Sequence, residues 1–312
     1  MTNTGPLFVS SGDLVNDRRY KAAVELAGRG DFAAAADVLT QTVAAAPGFA
    51  TAWFALGAIR ERQGDRDGAV AAFWAASRAD PDDYHGARLQ LARLGAGDNA
   101  PAMTEPYVRR LFDQYAARYD AALTEHLHYR GPALLLQAVT SALERVGRSL
   151  QFQSLLDLGC GTGLAGEVFH PFAARRVGVD LSPAMIERAK AKGDYDRLIV
   201  GGITAVVANE IASKAKYDLV VAADVFVYVN DLAPVLAGIT RVLAPHGIVA
   251  FTAETHSGAG VTLLPTLRFA YGESYLRDAI ARAGLKLLAL ESAAIRTEKG
   301  IPVDGLVLVA AA

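Results

Sequence analysis

The spacing of apolar residues changes character about one third of the way along the chain. Before residue 98, Ala-rich segments repeat their apolar positions at helical spacing, and Pro47 and Pro81 stand 34 residues apart. Beyond residue 150, apolar runs of four to seven residues alternate with helical patterns. Alternation of this kind is typical of a parallel sheet covered by helices on both faces. The pattern therefore predicts an all-α segment followed by an α/β domain.

Seven strand-like runs define the predicted sheet. Helical patterns separate most of them, notably at 183–192, 232–243 and 273–283. In a doubly wound sheet the ligand binds beyond the carboxyl ends of the strands, at the point where the strand order reverses. We therefore expect the site in the loops that follow the first two strands. The runs lie at 154–158, 176–179, 197–200, 217–222, 247–253, 285–290 and 305–310.

The first third of the chain carries a repeat of 34 residues. Pro47 and Pro81 mark its period, and Gly-Asp pairs recur at Gly30-Asp31 and Gly64-Asp65. This segment resembles tetratricopeptide (TPR) repeats, and an ordinary Ala-rich helical bundle is the alternative. Its large aromatic residues are expected to pack between helices. The middle repeat fits the family pattern at Trp53, Leu56, Gly57, Ala69, Phe73, Ala76 and Pro81.

A turn-rich segment at 95–101 separates the repeats from the rest of the chain. We predict a helical repeat domain at 1–97 and a second domain at 98–312, whose first part, 103–150, forms covering helices. Residues at four-residue steps share one face of a helix. The aromatic stripe that follows the linker therefore either lies over the ligand pocket or is ordinary core. It consists of Tyr107, Leu111, Tyr115, Tyr119 and Leu123.

The first predicted strand runs into a glycine-rich loop with the sequence DLGCGTG at 157–163. Glycines let the backbone turn sharply and let a ligand approach without a Cβ in the way. Asp157 precedes the glycines, and Asp180 closes the next strand 23 residues later. A carboxylate at Asp157 repels a pyrophosphate and attracts an ammonium group, and an acid at Asp180 can accept both hydroxyls of a ribose. S-adenosylmethionine (SAM) fits both carboxylates, and the dinucleotide of a nicotinamide-dependent dehydrogenase is the alternative.

Composition and charge narrow the class of protein. Hydrophobic residues make up 52% of the 312 residues, which is ample for a packed core. The 31 basic and 33 acidic residues give a net charge of −2, which argues against a nucleic-acid partner. Cys160 is the only cysteine, so neither an intrachain disulfide nor a multi-cysteine metal site is expected. Without a signal-peptide pattern or a membrane-length apolar run, the sequence predicts a soluble, cytoplasmic protein with no membrane partner.

Three segments of the second domain carry a family resemblance: DLGCGTG at 157–163, VDLSPAM at 179–185 and YDLVVAAD at 217–224. They resemble the Rossmann-type SAM-dependent methyltransferases. The aromatic segment at 111–120, with 127–132, is similar to a subgroup that carries N-terminal TPR repeats. The resemblance implies an α/β fold with a doubly wound, seven-stranded Rossmann-like methyltransferase sheet, preceded by an all-α TPR domain. It also implies SAM as the cofactor and S-adenosylhomocysteine (SAH) as the product.

The same resemblance assigns cofactor roles residue by residue. The glycine loop would line the methionine portion, with Asp157 at its amino group, Asp180 at the ribose hydroxyls, and Leu181 and Met185 on the adenine. Core packing is the alternative for Met185. The family commonly has a Gly-Asp pair after the third strand, whereas this chain has Gly-Gly, so a backbone carbonyl or a water would replace that carboxylate. The implied residues are Asp157, Gly159, Cys160, Gly161, Gly163, Asp180, Leu181, Met185, Gly202, Ala223 and Asp224.

No motif identifies the methyl acceptor. A sulfonium methyl is already activated, so its transfer needs alignment and desolvation, and needs a base only if the acceptor must lose a proton. Candidates for that base are His256, Tyr115 and Tyr119, and an ordinary loop position is the alternative for His256. Candidate substrate contacts are Tyr228, Glu254, Arg268 and Tyr271, and a surface position is the alternative for Arg268.

Two functions of different classes follow from the sequence. In the first, the protein transfers a methyl group from SAM to an oxygen or nitrogen of a small molecule, and the repeats serve self-association or cover the site. In the second, the repeats dock a protein or a carrier that the catalytic domain modifies. A non-catalytic scaffold is a third possibility, against which the intact glycine loop and both carboxylates argue.

Overall fold

The computed structural model describes residues 8–98, 102–119, 128–298 and 300–312. The chain divides into two compact units, Met1–Val108 and Arg109–Ala312. This division lies C-terminal to the boundary predicted after residue 97. Part of the predicted linker, at 99–101, and Leu123 of the aromatic stripe lie outside the described residues.

The first unit is helical, as the apolar spacing predicts. Its helices α1 to α4 pack in chain order around a core that includes Tyr20, Leu39, Phe49 and Leu56, each at most 3% exposed. The helices are α1 (Leu14–Gly28), α2 (Phe32–Ala45), α3 (Ala50–Arg62), α4 (Arg66–Ala79) and α5 (Ala87–Arg93), followed by α6 (Glu105–Tyr115), within which the division between the units falls.

Two turns of this unit have the same geometry 34 residues apart. Gly30 and Gly64 adopt positive φ angles of 85° and 80°, which glycine tolerates best. The next residue in each turn, Asp31 or Asp65, accepts a hydrogen bond from the backbone N–H three residues later and caps the helix that begins there. The Gly-Asp pairs therefore act as helix stop and start signals. Assignment of the helices to the TPR family stays a prediction.

A glycine allows α3 and α4 to approach closely. A Cβ built on Gly57 would lie 2.7 Å from Cε1 of Phe73, whose side chain is 1% exposed. In the same helix, Trp53 Nε1 donates a hydrogen bond of 2.9 Å to the carbonyl oxygen of Pro47. Small and large residues of the repeat pattern therefore meet across the helix interface.

The second unit is built on the predicted seven-stranded sheet, and this prediction is confirmed. The strand order is β3-β2-β1-β4-β5-β9-β8, in which β1 to β5 are parallel and β9 runs antiparallel to both of its neighbours. The order reverses between β1 and β4. The sheet consists of β1 (Phe152–Leu158), β2 (Ala173–Asp180), β3 (Arg197–Val200), β4 (Tyr217–Ala222), β5 (Leu243–Glu254), β8 (Lys286–Glu298) and β9 (Ile301–Ala311), and a small hairpin contains β6 (Val261–Leu263) and β7 (Phe269–Tyr271).

Helices alternate with most strands of the sheet along the chain. The central strands are buried on both faces, so residues such as Leu155, Val221 and Ala250 are fully inaccessible to solvent. Among the described residues, no helix is long and apolar enough to cross a bilayer. The helices are α7 (Gly131–Arg145), α8 (Leu164–Phe169), α9 (Pro183–Lys192), α10 (Ile203–Ala212), α11 (Ala233–Val242) and α12 (Glu273–Arg282).

We expect Gly57→Ala to destabilise the helical unit by about 1–2 kcal/mol, because the added methyl overpacks the α3–α4 interface against Phe73. Both tryptophans of the chain, Trp53 and Trp74, lie in this unit, so their fluorescence during urea unfolding reports its stability. Gly28→Ala is the matched control, because a Cβ there meets nothing within 4 Å. Equal stability of the two variants would contradict close packing at Gly57.

Candidate functional site

The loop after β1 is held in a conformation that suits glycine. Gly159, Gly161 and Gly163 have φ angles of 72°, 53° and 98°. A Cβ on Gly159 would lie 2.5 Å from Cγ2 of Val225, so this position has no room for a side chain. The backbone N–H groups of Gly159 and Cys160 both donate to the carbonyl oxygen of Val179 at the end of β2. The loop is thereby fixed between the two strand ends where the sequence predicts the site.

Asp157 is buried at the end of β1 with one oxygen paired and one unpaired. The residue is 1% exposed, and its Oδ2 accepts a hydrogen bond from the hydroxyl of Tyr195. Its Oδ1 has no hydrogen-bond partner among the described residues. Burial raises the pKa of Asp157 to about 7, although the hydrogen bond from Tyr195 opposes the shift. A buried carboxylate oxygen without a partner is costly, so this atom is suited to a hydrogen-bond donor or cation from a ligand.

Tyr195 occupies a socket made by glycines. Cβ atoms on Gly166 and Gly178 would lie 2.4 Å and 3.0 Å from its ring, and one on Gly163 would lie 3.3 Å away. The Tyr195 hydroxyl also accepts a hydrogen bond of 2.9 Å from the backbone N–H of Gly166 in α8. This arrangement fixes the direction in which the hydroxyl donates. Tyr195 therefore determines which oxygen of Asp157 stays unpaired.

Asp180 lies across the loop from Asp157, at the end of β2. Its Oδ2 accepts the N–H of Gly161 at 2.9 Å, and its Oδ1 accepts the N–H of Ser182 at 2.8 Å. Burial raises the pKa of Asp180 to about 6, and these backbone hydrogen bonds oppose the shift. A carboxylate has about four lone-pair positions, so capacity for two further donors remains. A buried carboxylate and a partly exposed one thus flank the glycine loop.

A small cavity of about 20 Å³, room for about one water molecule, lies beside the loop. Tyr119 lies above Gly161, with its Cε1 3.7 Å from the position of a Cβ there. Tyr129 lines the same cavity and packs against Gly131, where a Cβ would lie 2.4 Å from its hydroxyl oxygen. This volume is far below that of a ligand cavity, so a larger ligand enters only if the covering residues move. The lining consists of Tyr119, Tyr129, Pro132, Asp157, Gly159, Cys160, Gly161, Thr162, Leu164, Ala165 and Ala223.

The phenols of this cavity are neutral at physiological pH. Burial raises the pKa of both Tyr119 and Tyr129 well above the ordinary value, and the largest charge effect on each comes from Asp224. Arg296 opposes these shifts. Neutral phenols act as hydrogen-bond donors and acceptors and cannot take up a further proton.

A buried network of charges lies at the carboxyl ends of β4 and β5. Arg296, 1% exposed, reaches from β8 to three carboxylates: its Nη1 donates to both oxygens of Asp224 at 2.8 and 2.9 Å, its Nη2 to Glu254 and its Nε to Glu298. Arg268 donates to Glu254 and Glu298. Three carboxylates therefore face two guanidinium groups. Pairing of this kind is what makes buried charges tolerable.

The predicted cofactor residues divide into two groups. Asp157, Cys160, Ala223 and the loop glycines 159 and 161 meet at the cavity, with Asp180 bonded to the loop. Leu181 is partly exposed beside Asp180, and Gly202 caps α10 after β3. Met185 is fully buried in α9, which favours the core-packing interpretation.

The three candidate bases do not line one common cavity. Tyr119 lines the cavity, whereas Tyr115 is not part of that lining. His256 lines a different cavity, and its two ring nitrogens lie within hydrogen-bond distance of Gly258 N and Gly260 O in its own loop. The geometry therefore gives no support to His256 as a base, because its ring is engaged away from the glycine loop.

Three of the candidate substrate residues are more deeply buried than the sequence suggests. Arg268 is 5% exposed, which rules out the surface alternative, and Glu254 is 2% exposed in the same network. Tyr271 is fully buried, and its hydroxyl proton is shared by the carbonyl oxygens of Phe226 and Val229. Because this hydroxyl donates within the protein, the structure gives no support to the expected contact of Tyr271 with the substrate. Tyr228 packs edge-on against Phe112 with ring centroids 5.3 Å apart, close to the Arg268 guanidinium.

Three residues of the site carry weak sequence signals. Tyr129 and Tyr195 stand in irregular segments without periodicity, and only the glycines that make room for them, such as Gly131 and Gly166, hint at their positions. Arg296 lies beyond the apolar run predicted at 285–290, in the C-terminal extension of β8, so the strand prediction does not include it.

Comparison with known proteins identifies the central part of this unit. Residues 156–251 match the family model described as a methyltransferase domain. This range runs from β1 to β5 and includes the glycine loop and Asp180. This stretch of the second unit is therefore similar to methyltransferase domains.

Curated relatives match over the same region. The chain is 31% identical over 120 residues, 38% of this chain and 47% of the relative, to "Ubiquinone biosynthesis O-methyltransferase" of Rhodopseudomonas palustris (strain BisB5). It is 37% identical over 108 residues, 34% and 42%, to "Methyltransferase-like protein 27" of Homo sapiens. It is 29% identical over 145 residues, 46% and 51%, to "Malonyl-[acyl-carrier protein] O-methyltransferase" of Serratia marcescens. The chain thus spans about half the length of these relatives.

We expect Tyr195→Phe to weaken SAH binding at pH 7 by about fivefold, the effect of one lost hydrogen bond. Without the Tyr195 hydroxyl the pKa of Asp157 rises further, so less carboxylate is available. Titration calorimetry measures the change. Tyr217→Phe is the matched control, because it removes a buried hydroxyl that pairs with Glu210 at the opposite end of the sheet. Unchanged affinity in Tyr195→Phe would contradict the assigned role.

Proposed function

We propose that this protein transfers the methyl group of SAM to an oxygen or nitrogen of a small-molecule acceptor. The proposal combines the match to a methyltransferase domain with the arrangement of the two carboxylates around the glycine loop. The acceptor is proposed from the site alone, because the relatives match over only part of their length.

One observation carries the proposal: the unpaired Oδ1 of Asp157 in the cavity wall. An ammonium group satisfies this oxygen and also compensates the buried charge, whereas a pyrophosphate is repelled by it. The amino acid end of SAM supplies such an ammonium. The dinucleotide alternative is disfavoured, because Asp157 stands where the glycine loop would receive phosphates.

The remaining residues fit the rest of the cofactor. Asp180 retains lone pairs for the ribose hydroxyls, and the glycines without Cβ atoms leave space along the loop. Leu181 offers an apolar surface for the adenine. Gly202 provides no carboxylate for the adenine amino group, so a backbone carbonyl takes that role in our proposal.

When bound, SAM supplies a methyl carbon to which an acceptor lone pair bonds while the C–S bond breaks and its electrons stay on sulfur. The chain orients and desolvates the reactants. Tyr119 and Tyr129 cover the loop, exclude water and present neutral hydroxyls. A reaction of this kind gains chiefly from alignment and from the fixed polar groups around the reacting atoms.

A second candidate is a methyltransferase whose helical unit docks a protein or a carrier-bound acceptor. The equal geometry of the Gly30-Asp31 and Gly64-Asp65 turns favours a TPR-type repeat, which commonly presents a binding surface. The relative named for a malonyl acyl-carrier protein is compatible with a carrier-bound acceptor. The cytoplasmic location stays a prediction. Methylation of free acceptors by the full chain, without any carrier, would favour the first candidate.

We expect Asp157→Asn and Asp180→Asn each to weaken SAH binding at least about tenfold. The first removes the charge that pairs with the ammonium group, and the second weakens the charge-assisted hydrogen bonds to the ribose hydroxyls. Calorimetry on the folded full-length chain measures this. Asp278→Asn is the control, since its side chain is 67% exposed on α12. Wild-type affinity in both site variants would refute the cofactor assignment, and binding of NADH without binding of SAH would favour the dehydrogenase.

We also expect SAH affinity to depend on pH. The ionised form of Asp157 binds the ammonium group, and its pKa in the free protein is about 7. Affinity therefore falls as the pH drops below about 7, by up to about tenfold per pH unit, and levels off above it; below about 6 the fall is steeper, because Asp180 also takes up a proton there. Titrations between pH 5.5 and 8 test this. A flat profile in the wild type, or the same slope in Asp157→Asn, would show that Asp157 does not hold the ligand.

A further inference from the structure

Asp224 is held in a conformation that few non-glycine residues adopt. It follows β4 with a φ of 59°, and its backbone N–H donates to Thr252 Oγ1 at 2.7 Å. Arg296 fixes its side chain by donating to both carboxylate oxygens. A strained residue that the surroundings fix from two sides is a feature of functional sites.

The position of Asp224 connects the charge network with the cavity. Its neighbour Ala223 lines the cavity, and Asp224 exerts the largest charge effect on both cavity tyrosines, 119 and 129. Its side chain keeps 16% exposure and that of Glu298 20%, whereas those of Arg296 and Glu254 are 1% and 3% exposed. Among the three network carboxylates, Asp224 is the one that directly follows a cavity-lining residue in the chain.

The network leaves negative charge in excess. Asp224, Glu254 and Glu298 carry three negative charges against two positive charges on Arg268 and Arg296. A ligand group that is cationic, or that donates a hydrogen bond, is therefore stabilised here, and an anionic group is repelled.

We propose that Asp224, positioned by Arg296, determines acceptor specificity: its carboxylate selects an acceptor whose reacting oxygen or nitrogen carries a hydrogen and no negative charge. Phenols, alcohols and amines belong to this class, and carboxylates do not. The inference rests on the proposed function, because it assigns the acceptor side of the SAM site. Asp224 acts by accepting the hydrogen bond of the acceptor, and Arg296 acts only through Asp224.

The charge preference can be measured before any acceptor is known. Sinefungin is an analogue of SAM in which a carbon that bears an amino group replaces the methylated sulfur, so its cation probes the position of the methyl group. We expect the wild type to bind sinefungin at least about tenfold more tightly than SAH in calorimetry. Equal or weaker binding of sinefungin would overturn the proposal. Failure to bind either compound would instead overturn the proposed function.

Variants separate a specific role of Asp224 from general electrostatics. In Asp224→Asn the ratio of the two affinities falls toward one. Arg296→Lys keeps the positive charge but cannot reach three carboxylates in the same geometry, so the ratio falls there as well. Asp218→Asn is the matched control, at the opposite end of β4, where the carboxylate accepts the N–H groups of Gln153 and Ser154, and its ratio stays at the wild-type value. An unchanged ratio in Asp224→Asn would overturn the assignment of Asp224.

Discussion

The burial of the Asp157 carboxylate at the end of β1 is the constraint on which the site depends. A charge there is expensive, and within the described part of the chain only one of its two oxygens has a hydrogen-bond partner, Tyr195. The socket for Tyr195 requires glycine at positions 163, 166 and 178, in the loop, in α8 and in β2. One interaction thus connects three elements. The remaining oxygen is available to a ligand, and burial of the carboxylate raises its pKa to about 7.

In the charge network that we assign to the acceptor, by contrast, the charges are paired with one another. Arg296 connects the ends of β4, β5 and β8 through three carboxylates. Removing one partner of such a buried group leaves others unpaired, so the network is rigid. Rigidity and an excess of one negative charge make the network suited to orienting a ligand. In our proposal, cofactor recognition and acceptor recognition thus use carboxylates in two different ways: Asp157 offers an unpaired oxygen, and Asp224 is held by Arg296.

The sequence predicts elements with strong periodicity and fails where side chains meet without it. All seven strands of the sheet follow from their apolar runs, and the glycine loop follows from residues that need positive φ. The sequence offers His256 as a candidate base after the fifth strand. In the structure both of its ring nitrogens lie within hydrogen-bond distance of backbone atoms of its own loop. Tyr195 and Tyr129 could not be predicted, because tertiary packing alone brings them to the loop. Arg268 stands near the predicted site, but only the fold reveals that Glu254 and Glu298 bury it.

Proton release on ligand binding tests the central claim most directly. Calorimetry of SAH binding at pH 7 in two buffers of different ionisation enthalpy gives the number of protons exchanged. With an Asp157 pKa of about 7 in the free protein, the wild type is predicted to release roughly half a proton as the carboxylate ionises to bind the ammonium group. Asp157→Asn is predicted to lose that release. Binding of SAH to the wild type without proton release, or with the same release in Asp157→Asn, would contradict the account.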